Sequence, residues 1–284
     1  MATVDNLEIL SLRKGAKRRS EIPAAVVAAL NRGELETVNL VEFLVIDQIR
    51  LLKSVLTNLG IDQPVHRRRL IAAANAQTEV GIMRRTAEIG RAFFATLAEH
   101  PDLPDIYSRM VRHPSDTVRC WAAYMDTANQ ALSFAGRLKR VKPFAEDDNP
   151  GVREIAWISV REIAAEPLVE EIERLHSWAK SRNPRIRRFA IEITRPRGVW
   201  CRHLAKLKTH PEVALPLLSI CREDPEKYVQ DSVANWLNDA SKTRADFVLE
   251  TCRQWQAESD SRATARITHR ALRTLRKQAT EGVS

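Results

Sequence analysis

The chain has 284 residues, with 45 Lys and Arg against 36 Asp and Glu, which gives a formal net charge of +9 at pH 7. Hydrophobic residues make up 44% and charged residues 29% of the sequence, a balance that is typical of a folded globular protein and excludes a wholly disordered one. The longest uninterrupted apolar run, 24–30, has seven residues. A membrane-spanning helix needs roughly 20, so we expect no membrane contact.

The first residues and the cysteines favour a cytoplasmic protein. Residues 1–6 contain no basic stretch leading into an apolar one, so no secretion signal is expected. No two cysteines form a Cys-x-x-Cys pair, and we expect reduced thiols. The cysteines are Cys120, Cys201, Cys221 and Cys252.

The N-terminal segment differs from the rest of the chain. Glycine is scarce, at nine residues, and alternating strand patterns are hard to find, so helices are expected throughout. A basic run from Arg13 to Arg19 precedes a helix predicted near Pro23–Asn31. A second helix is predicted over Leu40–Leu59. We interpret residues 1–60 as a helical cap on a repeat structure.

An internal repeat organises the remainder. An apolar residue followed by Arg recurs shortly after a proline, at two successive steps of 34 residues, and a looser copy follows 43 residues later. The copies are Val118-Arg119, Val152-Arg153, Ile186-Arg187 and the looser Val229-Gln230. Each copy predicts two helices, with Asn or Asp as the N-cap before the proline. So short a helix pair cannot bury its apolar stripe alone, and we therefore expect an all-α fold. Its HEAT-like pairs would stack into an α-solenoid over 61–284, forming one domain with the cap.

Basic residues are concentrated in two segments. Nine of them, with Glu192 as the one acid, lie between Ser181 and Lys208. In the last predicted helix, five basic residues lie three or four positions apart on one face with no acid between them. They are Arg262, Arg266, Arg270, Arg273 and Lys277. Arginine supplies 34 of the 45 basic residues, and its planar fork suits phosphate. We expect this face to bind duplex DNA or another polyanion, with a merely solvated surface as the alternative.

Trp157 lies one position off the apolar stripe of its helix. It stands four residues after Arg153 and four before Arg161. This position predicts either an aromatic contact with a base or a half-buried residue at the seam between helices.

Two carboxylates also depart from local rules. Glu192 is either the partner of its helical neighbours Arg188 and Arg195 or a carboxylate with a task inside an anion-binding surface. Asp239 falls in the last turn of a helix predicted from Pro225 to about Ser241, where its charge opposes the helix dipole. It is either paired with Lys242 or functional. The scattered histidines show no metal-binding spacing, and no phosphate loop is present, so no metal or cofactor is expected.

Two C-terminal segments resemble the AlkC branch of the AlkC/AlkD-type DNA alkylation-repair glycosylases. Residues 190–200, Ala-Ile-Glu-Ile-Thr-Arg-Pro-Arg-Gly-Val-Trp, resemble that family's Ala-Ser-Glu-Gly-x-Arg-Pro-Arg-x-x-Trp. Residues 232–242 resemble its Ser-Val-Ala-Asn-x-Leu-Asn-Asp-x-x-Lys, and residues 271–275 are similar to its last helix. The resemblance covers roughly the C-terminal 140 residues, while the N-terminal half matches only as a generic helical solenoid.

The resemblance implies a HEAT-like protein that grips duplex DNA and cleaves the N-glycosidic bond of cationic N-alkylated purines, of the 3-methyladenine or 7-methylguanine type. It implies catalytic roles for Glu192 and Asp239 and a lesion contact for Trp200, with Trp157 as a second aromatic candidate. Together with the basic segments it gives a set of predicted DNA-binding residues. They are Arg153, Arg161, Arg187, Arg188, Arg195, Arg197, Asn235, Lys242, Arg266, Arg270 and Arg273.

One position departs from the family pattern. Trp157 stands where the family has a glutamate one turn before its arginine, which is Arg161 here. The leading hypothesis is a monomeric, cofactor-independent DNA glycosylase. Two alternatives stay open: a catalytically silent HEAT-repeat protein that binds DNA structure or damage, and a HEAT scaffold whose basic stripe meets an acidic protein.

Overall fold

The structure is a computed structural model that describes residues 4–76, 81–164 and 171–281. Within these ranges all regular secondary structure is helical, which confirms the predicted all-α class. The α-helices are α1 (Val4–Ser11), α2 (Ala24–Arg32), α3 (Leu40–Phe43), α4 (Gln48–Val55), α5 (Pro64–Asn75), α6 (Ile82–Leu97), α7 (Leu103–Val111), α8 (Asp116–Ala128), α9 (Phe134–Ala145), α10 (Pro150–Ala164), α11 (His176–Ala179), α12 (Pro184–Glu192), α13 (Ala205–Thr209), α14 (Leu215–Ile220), α15 (Lys227–Ser241), α16 (Ala245–Glu258), α17 (Arg262–Ala271) and α18 (Arg273–Glu281). Short 3₁₀ helices are Arg19–Glu21, Ile172–Leu175 and Pro211–Ala214. None of the helices in the described ranges is long and apolar enough to cross a membrane.

The chain divides into two compact units, Met1–Ser159 and Val160–Ser284. In the first unit, helices pack against their next or second-next neighbours along the chain: α4 lies against α2 and α5, and α6 lies against α5 and α8. Helix α8 is also covered by α7 and α9. The predicted single domain, with its cap over 1–60 and its repeats over 61–284, stays a prediction.

In the second unit, α12, α15 and α17 lie in a row, because α15 packs against both of the others. A second layer covers this row: α11 packs on α12, while α16 packs on α15 and α17. Val233, Trp236 and Leu237 of α15 are fully buried, and the indole N–H of Trp236 donates to the carbonyl of Thr194, just after α12, at 2.9 Å. The two layers are the pairing expected of HEAT-like repeats, and the row of three helices carries most of the candidate site.

The predicted capping residues begin the repeat helices. The side-chain oxygen of Asn183 accepts the backbone N–H of Arg185, with Pro184 at the first position of α12. Asn149 does the same for Gly151 where α10 begins. The N-cap oxygen satisfies a helix donor that has no partner inside the helix, which is why the repeat motif starts with this residue type.

Two helices predicted as continuous are broken. The one predicted over Leu40–Leu59 is split into α3 and α4, because the Asp47 side chain accepts the backbone N–H groups of Ile49 and Arg50 and starts a new helix there. The last helix breaks at Leu272, between α17 and α18. There the Asn238 side chain donates to the carbonyl of Ala271, a carbonyl that would otherwise serve the helix.

The arginine of the repeat motif joins neighbouring repeats. Arg119, Arg153 and Arg187 each donate to the carbonyls five and six residues earlier, at 2.7–3.1 Å. Arg119 also pairs with Asp147, and Arg187 with Asp224, acids that lie just before the next repeat helix in each case. In the looser copy a glutamine keeps the bond to the carbonyl six residues earlier. The fixed distance from the turn to the arginine of the motif therefore follows from these hydrogen bonds to the carbonyls five and six residues earlier.

We expect Arg187→Met to lower the free energy of unfolding by about 3 kcal/mol, because it leaves the buried carboxylate of Asp224 without its cation. Arg182→Met removes the same charge from an exposed position just before α12 and should change stability by less than about 0.5 kcal/mol. Urea unfolding compares the two variants. Equal, small changes would contradict the role given to Arg187.

Candidate nucleic-acid interface

A cluster of charged side chains forms where the end of α12 meets the C-terminal half of α15. Glu192 is the last residue of α12, Asp239 lies near the end of α15, and Arg195 follows α12 by three residues. Nη1 of Arg195 donates to Oε2 of Glu192 at 3.1 Å, while its Nε and Nη2 donate to Oδ2 of Asp239 at 3.0 and 2.6 Å. One guanidinium thus bridges the two predicted catalytic carboxylates.

The two carboxylates keep the guanidinium of Arg195 protonated. Burial alone would lower the pKa of Arg195, but the charges of Glu192 and Asp239 outweigh it and hold the pKa above its ordinary value. Arg195 is consequently a permanent cation between two acids, and its hydrogen bonds to them are the strong, charge-assisted kind.

Glu192 is enclosed by its partners. Its side chain is 2% exposed, Oε1 accepts from the hydroxyl of Ser232 at 2.6 Å, and Arg188 forms an ion pair with the same oxygen at 3.5 Å. The guanidinium of Arg188 in turn lies 4.6 Å above the ring of Tyr228. The predicted ion pairs of Glu192 are therefore present. A bound sugar could not touch this carboxylate without displacing Arg195 or Ser232, which limits Glu192 to holding Arg195 and acting through its charge.

Asp239 is the carboxylate closer to the surface. Its side chain is 8% exposed, and its second oxygen, Oδ1, accepts from Nζ of Lys242 at 3.1 Å. The predicted pair with Lys242 is thus present as well. Because the Lys242 side chain is 43% exposed, it is the partner of Asp239 that a polyanion can reach.

The loop over 196–204 connects the cluster to α13 and carries the predicted lesion contact. Val199 and Trp200 lie at its tip and are exposed, Trp200 by 49%. Nε of Arg197 donates to the backbone carbonyl of Asp239 at 3.3 Å. The loop is therefore fixed to the same turn of α15 that carries the Asp239 carboxylate.

The basic face at the C-terminus has an acid after all, supplied by α15. Oδ1 of Asp231 accepts from Arg266 at 2.7 Å and lies 3.0 Å from Nε of Arg270. Arg273 donates to the side-chain oxygen of Asn235 at 3.0 Å. Burial, followed by the charge of Arg270, lowers the pKa of Arg273. An acid from a neighbouring helix therefore lies against this basic face, and binding of a polyanion to the face stays a prediction.

Four side chains that the sequence predicts to contact DNA bind other groups of the protein. Trp157 is buried rather than half-buried, and its indole N–H donates to Glu154 at 3.1 Å. Arg153 and Arg187 bind the turns before their own helices, and Arg161 is 1% exposed. Trp157 and Arg161 are thus buried, whereas Arg153 and Arg187 are partly exposed, and contact of these four side chains with DNA stays a prediction.

The sequence analysis did not predict that Ser232 binds Glu192 or that Asp231 pairs with the basic face at the C-terminus. Ser232 lies seven residues before Asp239 and so on the same face of α15, which is the signal that could have found it. Asp231 gave no such signal, because its partners Arg266 and Arg270 lie on another helix.

One family model matches part of the chain, within the second unit. Residues 160–254 match the model of a family described as DNA alkylation repair enzyme, which confirms the resemblance seen in the sequence. The match covers α12 and α15 and with them the whole Arg195-centred cluster, but it ends before α17. It begins where the second unit begins.

The chain is also similar to individual proteins over part or most of its length. The chain is 33% identical over 138 residues to the uncharacterized protein YhaZ of Bacillus subtilis (strain 168), across 47% of this chain and 38% of YhaZ. It resembles the structure of Pseudomonas fluorescens alkylpurine DNA glycosylase AlkC bound to DNA containing an abasic site analog, with a TM-score of 0.67 and 25% identity. That match covers 82% of this chain and 63% of the AlkC chain. AlkD2 from Streptococcus mutans shares the fold, with a TM-score of 0.53 and 19% identity over 73% of this chain and 97% of AlkD2. These neighbours confirm the predicted class of α-solenoid built from helix pairs.

Proposed function

We propose that this protein is a DNA glycosylase that releases cationic N-alkylated purines from duplex DNA. The observation that carries the proposal is the bridge from Arg195 to Glu192 and Asp239, next to the loop that exposes Trp200. In the proposal, these carboxylates, the exposed ring of Trp200 and the basic side chains around them act together as one site. The matched family model and the likeness to an alkylpurine DNA glycosylase support the same reaction class.

Cleavage of the N-glycosidic bond of a cationic purine needs few catalytic groups from the protein. An N-alkylated purine carries a positive charge, so the bond from C1′ to the base nitrogen breaks with its electron pair moving onto the purine, which leaves neutral. The sugar becomes an oxocarbenium-like cation, and a water molecule adds at C1′ and loses its proton. No general acid is needed for such a leaving group. The protein must supply negative charge beside C1′, a place for the water, and an aromatic face for the cationic base.

The side chains can be given roles on this basis. Asp239 lies nearest the surface and would stabilise the sugar cation and orient the water. Glu192 would hold Arg195 and add its charge from a short distance, since electrostatic effects are strong in a site from which water is excluded. Trp200 would pack on the base. A DNA phosphate that draws Lys242 away would free Oδ1 of Asp239 for the sugar.

Lys242→Gln should make the salt dependence of duplex binding shallower by about 0.9 in the log–log slope, because one phosphate contact is lost. Arg253→Gln is the matched control, since Arg253 is exposed on α16, away from the row of helices, and pairs with Glu250. Affinities measured across a salt series test both variants. A slope unchanged in Lys242→Gln would remove Lys242 from the interface.

The direct test of the proposal is the formation of abasic sites. The purified protein is incubated with N-methylated duplex DNA, which is then treated with alkali so that abasic sites become strand breaks. We expect breaks that increase with time and protein concentration and are absent from unmethylated duplex. Methylated DNA that stays intact would overturn the proposal.

One observation favours a second candidate, a catalytically silent DNA-binding protein. All four carboxylate oxygens of Glu192 and Asp239 already have partners, and a buried Trp157 stands where the family pattern has a glutamate. This candidate predicts salt-sensitive binding to duplex DNA without any abasic sites.

A further inference from the structure

Arg161 occupies an unusual place under the loop that carries Trp200. It belongs to the second unit and is 1% exposed. Its Nη1 donates to the carbonyl of Arg195 at 2.6 Å and contacts that of Ile193 at 3.4 Å. On the other side, Nη2 and Nε donate to the carbonyl of Arg202 at 2.8 and 3.3 Å. One guanidinium therefore binds the backbone on both sides of the loop tip.

The loop itself is narrow. The backbone N–H of Leu204 donates to the carbonyl of Pro196 at 3.1 Å and closes its base. At the turn, a Cβ added to Gly198 would come within 2.2 Å of Sγ of Cys201, so the two strands of the loop approach closely. Val199 and Trp200 project from this closed base as its exposed tip.

Burying the guanidinium of Arg161 costs free energy, because its positive charge is removed from water. Its hydrogen bonds go to neutral carbonyls, and desolvation lowers the pKa of the side chain. A neutral side chain would avoid that cost, but none offers five donors in one rigid plane. Only the guanidinium fork can bind carbonyls on both sides of the loop at once.

We propose that Arg161 is a positioning residue that holds the 196–204 loop closed and so fixes Trp200 at the tip of a loop that is tied to the Asp239 turn. Arg161 does not contact DNA. Trp200 reaches a base only from the closed loop, because its loop is tied to the Asp239 turn through Arg197 and to the helix below through Arg161. The functional consequence rests on the proposed glycosylase activity, whereas the closed loop can be measured without it.

Hydrogen exchange of the loop amides tests the positioning directly. Arg161→Met keeps the length of the side chain and removes its donors. We expect exchange of the Leu204 amide, which donates across the base of the loop, to become at least about tenfold faster, the loss expected when hydrogen bonds that close a loop are removed. Arg153→Met is the matched control on the same helix, because Arg153 also donates to two carbonyls but binds the turn at 147–148. That variant should speed exchange around its own turn and leave the loop unchanged.

Unchanged loop exchange in Arg161→Met would overturn the proposal, and so would equal loop exchange in the two variants. If Arg161→Met does not fold, Arg161→Lys serves in its place. It keeps the charge but cannot bind both sides of the loop. Its loop should exchange faster than that of the wild type, and equal rates would again contradict the positioning role.

Duplex binding and base release separate positioning from a phosphate contact. In Arg161→Met we expect the single-turnover rate of base release to fall by about tenfold or more, as misplacement of a reacting group does. The log–log salt slope of duplex affinity should stay at the wild-type value. A slope reduced by about 0.9 would make Arg161 a phosphate ligand and overturn the proposal. If the wild type releases no base, the glycosylase proposal fails, while the exchange experiment still decides the role of Arg161.

Discussion

Asp239→Asn is expected to lower the single-turnover rate of base release from methylated duplex DNA by about 10²–10³-fold, the usual loss when one group that stabilises transition-state charge is removed. Asparagine keeps the shape of the side chain, but its single oxygen can accept from Lys242 or from Arg195 and not from both. The negative charge beside the sugar cation is lost together with one of these hydrogen bonds. Duplex affinity should change by less than about threefold, since removing an acid costs no phosphate contact.

Asp246→Asn is the control for this prediction. It makes the same chemical change on α16, where the carboxylate is 68% exposed and pairs with Arg244. Its rate should stay close to that of the wild type. Equal losses of binding and release in Asp239→Asn, or equal effects of the two substitutions, would contradict a catalytic role for Asp239.

Arg195→Leu is expected to lower the free energy of unfolding by about 3–5 kcal/mol, because it takes the shared cation away from two buried carboxylates. The cost lies in the charges left behind more than in the lost attraction. Combining it with Glu192→Gln and Asp239→Asn should therefore restore much of the stability. Urea unfolding of the single and triple variants measures this difference. A triple variant that is no more stable than Arg195→Leu would show that Arg195 contributes by packing alone.

Much of the fold could be predicted because its signals are local. An asparagine before a proline marks where α10 and α12 begin, and the cap geometry is the one the sequence indicates. The prediction of two continuous helices was wrong, because at each break a side chain binds backbone groups that a continuous helix would use. The Asp47 carboxylate accepts backbone N–H groups at the start of α4. The Asn238 side chain, on α15, donates to the carbonyl of the last residue of α17. Hydrophobic periodicity alone does not reveal such competitors.

The number of arginines alone does not say which of them bind DNA. The excess predicts DNA binding, and yet Arg119, Arg153, Arg161 and Arg187 all donate to backbone carbonyls of the protein itself. The same planar fork that suits a phosphate suits a pair of carbonyls. A one-dimensional count of charge cannot separate the two uses.

The sequence predicts the ion pairs within each segment of the Arg195-centred cluster but not the contact that joins the two segments. Both pairs within one chain segment, Glu192 with Arg195 and Asp239 with Lys242, follow from a spacing of three residues. The bridge from Arg195 to Asp239 spans 44 residues of sequence and depends on how α12 packs against α15. This contact sets the two carboxylates side by side, and only the tertiary structure contains it.

The measurement that tests the central claim most directly is chromatography of the free bases released from methylated duplex DNA. Wild-type protein and Asp239→Asn are compared at equal fractions of bound duplex. We expect the wild type to release 3-methyladenine or 7-methylguanine and the variant to release neither above the rate of spontaneous loss. Release of the same bases at the same rate by both proteins would contradict the site, and release by neither would contradict the glycosylase.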